Sequence, residues 1–350
     1  MSDGVSTETK AISLLHPRFV AARKRLPTNT LGCIEFGDCL SVSKGPGAIP
    51  HLTVPMARSN QESFVESWSS TAPRKEGGTR GDLIYSEDGE YLFITTIIAE
   101  GDDYDKAAES RYRQIFELIA DLGYSRLFRI WNYIGNMLDT APSGLQFYQE
   151  FVKGRERAFA NYGGTKLMPA ATGIGTRGSG IGLVALASRT GVPTHVENPR
   201  QTPAYEYPEQ YGPKAPSFAR ATVLNHNTAS ESYTQSLYVS GTSSILGHES
   251  VYCGDFNAQL TTTLENLAAL VDGKNLARFK VHKGFDLTDA SLMKVYVKRS
   301  TDITKAYETM CKYVGKQTDV RYLNVDVCRK ELLVEIEAVF PSVSRLKEIK

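Results

Sequence analysis

The chain has 350 residues, 41% of them hydrophobic and 23% charged, with a formal net charge of +1. This is a globular composition, long enough for two cores, and the near-neutral balance excludes the electrostatic footprint of a nucleic-acid or membrane-surface binder. Cys33, Cys39, Cys253, Cys311 and Cys328 form neither a disulfide framework nor a zinc pattern. No apolar run approaches the roughly 18 residues of a membrane span. The opening MSDGVSTETKAISLL has no basic and then apolar leader, so a reducing cytoplasm is the expected address.

In chain order, residues 1 to about 80 read as irregular, rich in Gly, Pro and Ser, wrapped as strands and loops on a core built elsewhere. Tyr91 to Ile98 is a continuous apolar run with β-branched residues, the pattern of a buried strand. Asp102 and Asp103 then sit where helix caps belong. Tyr104, Ala108, Tyr112, Ile115, Ile119 and Leu122 follow at helical spacing, and Gly123 ends the stretch. A strand over 126–134, a helix near 144–160 and a strand over 181–187 complete the unit. The same order recurs: a strand over 236–241, an amphipathic helix through Leu260, Leu264, Leu267 and Val271, and a strand over 292–298. A helix through Ile303, Tyr307, Met310 and Val314, capped by Thr301 or Asp302, and a strand over 332–338 close it. A strand–helix–strand–helix–strand pattern occurring twice, about 150 residues apart, reads as duplication of a whole domain. The Pro- and Tyr-rich stretch 193–217 is the candidate linker.

Within the last strand, alternation puts Leu333, Glu335 and Glu337 on one face and Val334, Ile336 and Ala338 on the other. Spacing leaves two readings open, a strand with one wet face or a carboxylic acid held in a cleft. The equivalent run in the first copy, IGLVALA, has no carboxylate, so the fold itself does not require one there. Gly173-Ile-Gly175-Thr-Arg-Gly178 spells G-x-G-x-x-G, but the glycines and Pro193 after it exclude the helix that a dinucleotide site needs. The six histidines make no zinc-protease pairing, and no G-x-S-x-G elbow is present.

The second copy resembles the RidA/YjgF family in PSFARA (216–221), LYVSG (237–241), QLTTTLENLAALV (259–271), LMKVYVKRSTDI (292–303) and VEIEA (334–338). The tandem is similar to the chorismatase family, most strongly in RIWNYIGNM (129–137), FYQEFVKGRERAF (147–159), PAATGIG (169–175), PSFARA and CRKELLVEIEA (328–338). The resemblance implies an α+β fold of two tandem RidA/YjgF-like (chorismate-mutase-like) domains, each a sheet with two helices on one face. Residues 1–200 would be the N-terminal domain with its irregular extension, and 201–350 the C-terminal domain carrying the acid. It implies chorismate as the small-molecule substrate, no cofactor or metal, no nucleic-acid or membrane partner, and a monomer or homotrimer.

The same resemblance makes Glu335 the proton donor to the enol ether of chorismate, whose pyruvyl group then leaves. Two substrate carboxylates call for guanidinium clamps, and Arg155 and Arg220 stand in the matching strings, with Tyr148 and Tyr211 as hydroxyl donors. Read without the family, a lone Arg is more often a surface ion pair, Cys328 a small buried hydrophobe, and Gly241 a bulge. Cys328 is placed on the arm of the hairpin preceding Glu335. The Gly241/Cys328 pair matches the subtype that forms 3-hydroxybenzoate through an epoxide, with Gly241 leaving room for the ring. A chorismate hydrolase giving a dihydroxycyclohexadiene carboxylate is the first alternative, and a RidA-type ligand-binding or imine-clearing protein the second.

Overall fold

Sequence runs that are apolar on both faces form central strands. The computed structural model, which describes residues 13–22, 24–58, 63–227, 232–281 and 283–346, arranges the strands in three large sheets. The first holds β1 (Leu15–Ala21), β2 (Thr30–Gly37), β3 (Ser41–Gly45), β4 (Ile49–Pro55) and, after the two-residue β5 (Ala57–Arg58), β6 (Phe64–Ser70), in the order β1-β6-β2-β4-β3. This corrects the expectation of an irregular N-terminal region; residues 1–12 lie outside the described residues. Ile34, Phe36, Leu52, Val54 and Trp68 go to the central core and Cys33, Ile49 and Val65 to a smaller cluster, whereas much of β3 stays half-exposed; the Gly, Pro and Ser residues between these short strands hid them in the sequence.

The second sheet is built from β7 (Glu76–Arg80), β8 (Leu83–Glu87), β9 (Tyr91–Ile98), helix α1 (Tyr104–Asp121), β10 (Arg126–Gly135), helix α2 (Phe147–Tyr162), β11 (Ala170–Thr176) and β12 (Ile181–Ser188), in the order β11-β10-β12-β9-β8-β7. Asp103 caps α1 by accepting from the Lys106 N–H, and Gln146 and Gln149 form a reciprocal capping box on α2. The two helices meet closely at Gly154, where a Cβ would lie 1.8 Å from the Asp105 carbonyl oxygen.

The third sheet repeats this plan with β13 (Val192–Val196), β14 (Ala221–Asn227), β15 (Ser232–Ser243), the small hairpin β16 (Ile245–Leu246) and β17 (Glu249–Ser250), and helices α3 (Phe256–Val271) and α4 (Gly273–Ala277). Then come β18 (Leu292–Val297), α5 (Ile303–Tyr313), β19 (Asp319–Asn324) and β20 (Val334–Leu346). Its order, β19-β18-β20-β15-β14-β13, is that of the second sheet strand for strand, and β5 adds to its far edge beside β19. In both, the only parallel pair is the one spanned by the second long helix, β10 with β11 and β18 with β19. The duplication read from the sequence is therefore real, and the fold is α+β with two repeated sheet-and-helix units. The candidate linker is not all linker, since β13 is an edge strand paired with β14. Among the described residues no helix is long and apolar enough to cross a membrane.

One face of each repeated sheet is covered by its helices, and the other faces turn toward each other and toward the first sheet. Ile94, Ile130 and Ile134 pack under α1 and α2, and Val295, Ile336 and Phe340 under α3. The opposite faces share one core, in which Trp68 of the first sheet lies 5.2 Å from Trp131 of the second and 6.2 Å from Tyr238 of the third, ring centre to ring centre. The face of β20 bearing Glu335 and Glu337 looks into this interior, so the wet-face reading does not hold: both residues are nearly fully buried.

At the junction sits a buried ion cluster. The Lys294 ammonium, with no exposed surface, is 2.5 Å from Glu66 of β6 and 2.6 Å from Glu337 of β20. Glu337 also accepts from Arg129 Nη2 at 2.8 Å, from Trp131 Nε1 at 2.9 Å and from the Thr172 hydroxyl. Lys294→Met should destabilise the protein by about 3–5 kcal/mol, because two buried carboxylates lose their shared cation. Adding Glu66→Gln should recover part of that loss. Urea unfolding of the single and double variants measures both.

Candidate active site

A cavity of 460 Å³ opens where the first copy meets the second. The start of α2 supplies Tyr148 and Gln149, β11 supplies Ala171 and Gly173, and the segment crossing from β13 to β14 supplies Tyr207, Tyr211 and Arg220. Gly241 and Ser243 come from β15, Cys328 and Arg329 from the β19–β20 connection, and Glu335 from β20. Of the residues singled out from the sequence, Glu335, Cys328, Tyr148, Tyr211, Arg220 and Gly241 all reach this wall. Cys328 does so from an irregular loop rather than from a hairpin arm.

Arg155 is the exception, because it stands behind the wall. Its Nε donates to the Tyr112 hydroxyl at 2.9 Å, its Nη1 donates to the Ser217 carbonyl, and the guanidinium lies 4.6 Å from the centre of the Phe159 ring. It braces the segment whose neighbours Pro216 and Phe218 line the cavity. The residue that sequence reasoning missed is Arg329. Its guanidinium carbon lies 3.6 Å over the Tyr211 ring and its Nη1 donates to the His248 carbonyl and the Ser250 hydroxyl, at 2.9 and 3.0 Å. Its Nη2 is buried without a partner. The string CRKELLVEIEA carried the resemblance without singling out Arg329; only the fold turns its side chain toward the cavity. Arg220 donates through Nη2 to the Thr202 carbonyl at 2.9 Å and the Tyr207 hydroxyl at 2.6 Å, while its Nε lacks a partner.

Glu335 is the buried carboxyl of the cavity wall. Burial pushes its carboxyl up to about 8. A 3.2 Å hydrogen bond from Ser243 opposes the shift, the charge of Glu337 adds to it, and Arg220 and Arg129 pull weakly the other way. Glu337 goes the opposite way on the same strand face. Burial works against its ionisation, but Lys294 and Arg129, with hydrogen bonds from Lys294 and Thr172, hold it below the usual carboxylate range. Two glutamates two residues apart are thus divided into a proton carrier and a fixed anion, the separation of roles an acid catalyst needs. Cys328 is pushed up to about 12 by burial and by Glu335, so it stays a neutral thiol. Tyr148 is likewise held as a phenol by burial.

Gly241 is positioned against the acid. A Cβ there would lie 1.9 Å from Glu335 Oε1 and 2.7 Å from its carboxyl carbon. The space beside this glycine is filled by the acid itself, so it is not open room for a ring. With Glu335 neutral, the cavity wall carries Arg220, Arg329 and Lys330 against Glu331, a cationic balance suited to a small molecule with more than one carboxylate.

The family model described as "Chorismatase FkbO/Hyg5-like, N-terminal" matches residues 66–187. A 3-hydroxybenzoate synthase of Streptomyces hygroscopicus is 40% identical over 315 residues, which is 89% of this chain and 91% of that protein. The chain belongs to the chorismatase family. A chorismatase of Streptomyces rapamycinicus is 37% identical over 83% of this chain and 86% of its own length. A chorismatase crystal structure superimposes with a TM-score of 0.88 at 34% identity, covering 94% of this chain and 99% of the other.

The chorismatase fold thus buries an acid that prefers to be neutral, with a measurable consequence. Its pKa rises from the ordinary 4.5 to about 8 on folding, so the folded chain holds a proton that the unfolded chain releases. Stability should fall as pH rises through that window. Glu335→Gln should remove this slope and be no less stable at neutral pH, as read by urea midpoints of both proteins across the window.

Proposed function

We propose that this chorismatase converts chorismate to 3-hydroxybenzoate and pyruvate, with Glu335 as the acid. The observation that carries the reading is a single protonated carboxyl in a cleft between the two copies, faced by two guanidinium groups with unpartnered buried nitrogens. Arg220 and Arg329 take the substrate carboxylates. Tyr148 and Tyr211 bound the ring, and Arg155 braces the wall without touching substrate.

Glu335 gives its proton to the methylene carbon of the enol ether, and its carboxylate then faces the oxocarbenium ion. A positioned acid contributes on the order of 10²–10⁴-fold, and the fixed charges around the cation add to this. The adjacent ring hydroxyl attacks the carbon bearing the ether oxygen. That C–O bond breaks, pyruvate leaves, and the hydroxyl proton returns to Glu335. The epoxide so formed is an isomer of the aromatic product; opening one of its C–O bonds and losing one ring proton yields 3-hydroxybenzoate, so no water is consumed. Cys328, a neutral thiol beside Glu335, is suited to donate to the opening oxygen. The Gly241/Cys328 pair carries the resemblance to the subtype that forms this product rather than the hydrolytic diene, Cys328 by its neutral thiol and Gly241 by its close seat against the acid rather than by room for the ring. The central core closed by three sheets of one chain supports the monomer among the assembly states, and a cytoplasmic address fits the free cysteines.

Product identification by mass and NMR tests the reading. The expected outcome is 3-hydroxybenzoate and pyruvate in equal amounts. Turnover should fall as pH rises past about 8, where Glu335 ionises, and Glu335→Gln should lose nearly all of it; the dihydroxy diene as main product would refute the subtype. Arg329→Ala should raise KM roughly tenfold or more, since a charged hydrogen bond is worth about 1.5–3 kcal/mol. Steady-state kinetics with an unchanged KM would move the carboxylate site elsewhere.

A further inference from the structure

The β15–β20 ladder is interrupted beside the acid. Val239 pairs with Ala338 and Thr242 with Ile336, so Ser240 and Gly241 together face the single residue Glu337. This is a β-bulge, and a bulge re-aims backbone groups that a regular ladder would pair. Here the re-aimed groups are caught by the first copy. The Gly241 N–H donates to Thr172 Oγ1 at 3.1 Å, and the Ser240 hydroxyl accepts from the Ala171 N–H at 2.9 Å.

Thr172, on β11, is 1% exposed. Its hydroxyl oxygen accepts from Arg129 Nη2 at 2.7 Å and from Gly241, and it donates its proton to Glu337. That uses both lone pairs and the proton. The hydroxyl therefore ties three things together: the guanidinium of the ion cluster, the fixed anion, and the bulged backbone whose Cα abuts the Glu335 carboxyl. The bulge packs so closely on the Glu335 carboxyl that even a Cβ at Gly241 would overlap Oε1, so the position of the bulge bounds the position of the carboxyl.

We propose that Thr172 is a positioning residue for the acid: its hydroxyl pins the Gly241 bulge and so aims the Glu335 carboxyl at the reacting carbon. It touches neither Arg220 nor Arg329, so it acts on the chemical step rather than on binding. This deepens, and rests on, the reading of Glu335 as the acid for chorismate.

The test compares Thr172→Val, which keeps the shape and loses the hydroxyl, with Thr172→Ser, which keeps the hydroxyl. Pyruvate release is followed well below each variant's melting temperature. For valine, kcat should fall roughly tenfold or more with KM within about threefold, as a small misplacement of a catalytic group demands; serine should recover most of that rate. A valine variant as fast as wild type, a serine variant as slow as valine, or kcat and KM changing together would each overturn the proposal. Should the valine chain not fold, Thr172→Cys, of similar size with a weak hydrogen-bonding group, is expected to fall between serine and a full loss, and wild-type turnover there overturns it equally. Wild-type protein that releases no pyruvate from chorismate would remove the functional reading as well, whereas an active wild type with an active valine variant removes only the role of Thr172.

Discussion

Four buried charges, Glu66, Lys294, Glu337 and Arg129, hold the interior together, and the site depends on them. Each comes from a different strand, and between them the strands represent all three sheets. Charges removed from water are tolerated only when geometry pairs them closely, so the cluster admits one mutual arrangement of the sheets and penalises others. Its second effect is electrostatic. By keeping Glu337 ionised it places a fixed anion on the face of β20 that also carries Glu335, which adds to the burial that keeps Glu335 neutral.

The duplication explains how a single site arose from two equivalent places. In the second copy Glu335 lies opposite Tyr296, and in the first Gly182 lies opposite Tyr133. Around Gly182 the space is filled by Leu40 of the β2–β3 connection and Leu52 of β4, whose methyl carbons would be 3.3 and 3.1 Å from a Cβ there. The corresponding place by Glu335 is bounded instead by α2, β11 and the 203–220 segment, which leave a cavity. One copy lends its acid and the other lends the opposite wall, so neither could hold this site alone.

The neutrality of Glu335 is a product of enclosure. A carboxyl that must remain protonated near neutral pH needs little water and few donors, and Glu335 has one hydroxyl donor and a glycine pressed against it. The guanidinium groups of Arg220 and Arg329 reach the same cavity from the segments that precede β14 and β20, so one cavity holds a neutral carboxyl on a strand and cations on its connecting segments.

The repeated helical spacings and buried strands were legible because period and capping are local properties: Asp103, Gly123 and the apolar run 91–98 sit where their patterns placed them. Glu335 was singled out by its string and by the missing carboxylate in the first copy, and the fold places it in the cavity wall. What the sequence could not determine was anything set by contacts between distant segments. The N-terminal sheet was hidden because its strands are short, rich in Gly, Pro and Ser, and paired across long sequence distances. Arg155 and Arg329 exchanged expectations because direction toward a cavity depends on which elements surround it, and no periodicity encodes that. The two glutamates of β20 look alike in the chain; tertiary structure alone distinguishes them, by bringing Lys294, Arg129 and Thr172 to one carboxylate and leaving the other with the Ser243 hydroxyl as its donor, and a buried carboxyl's charge is decided by its neighbours in space.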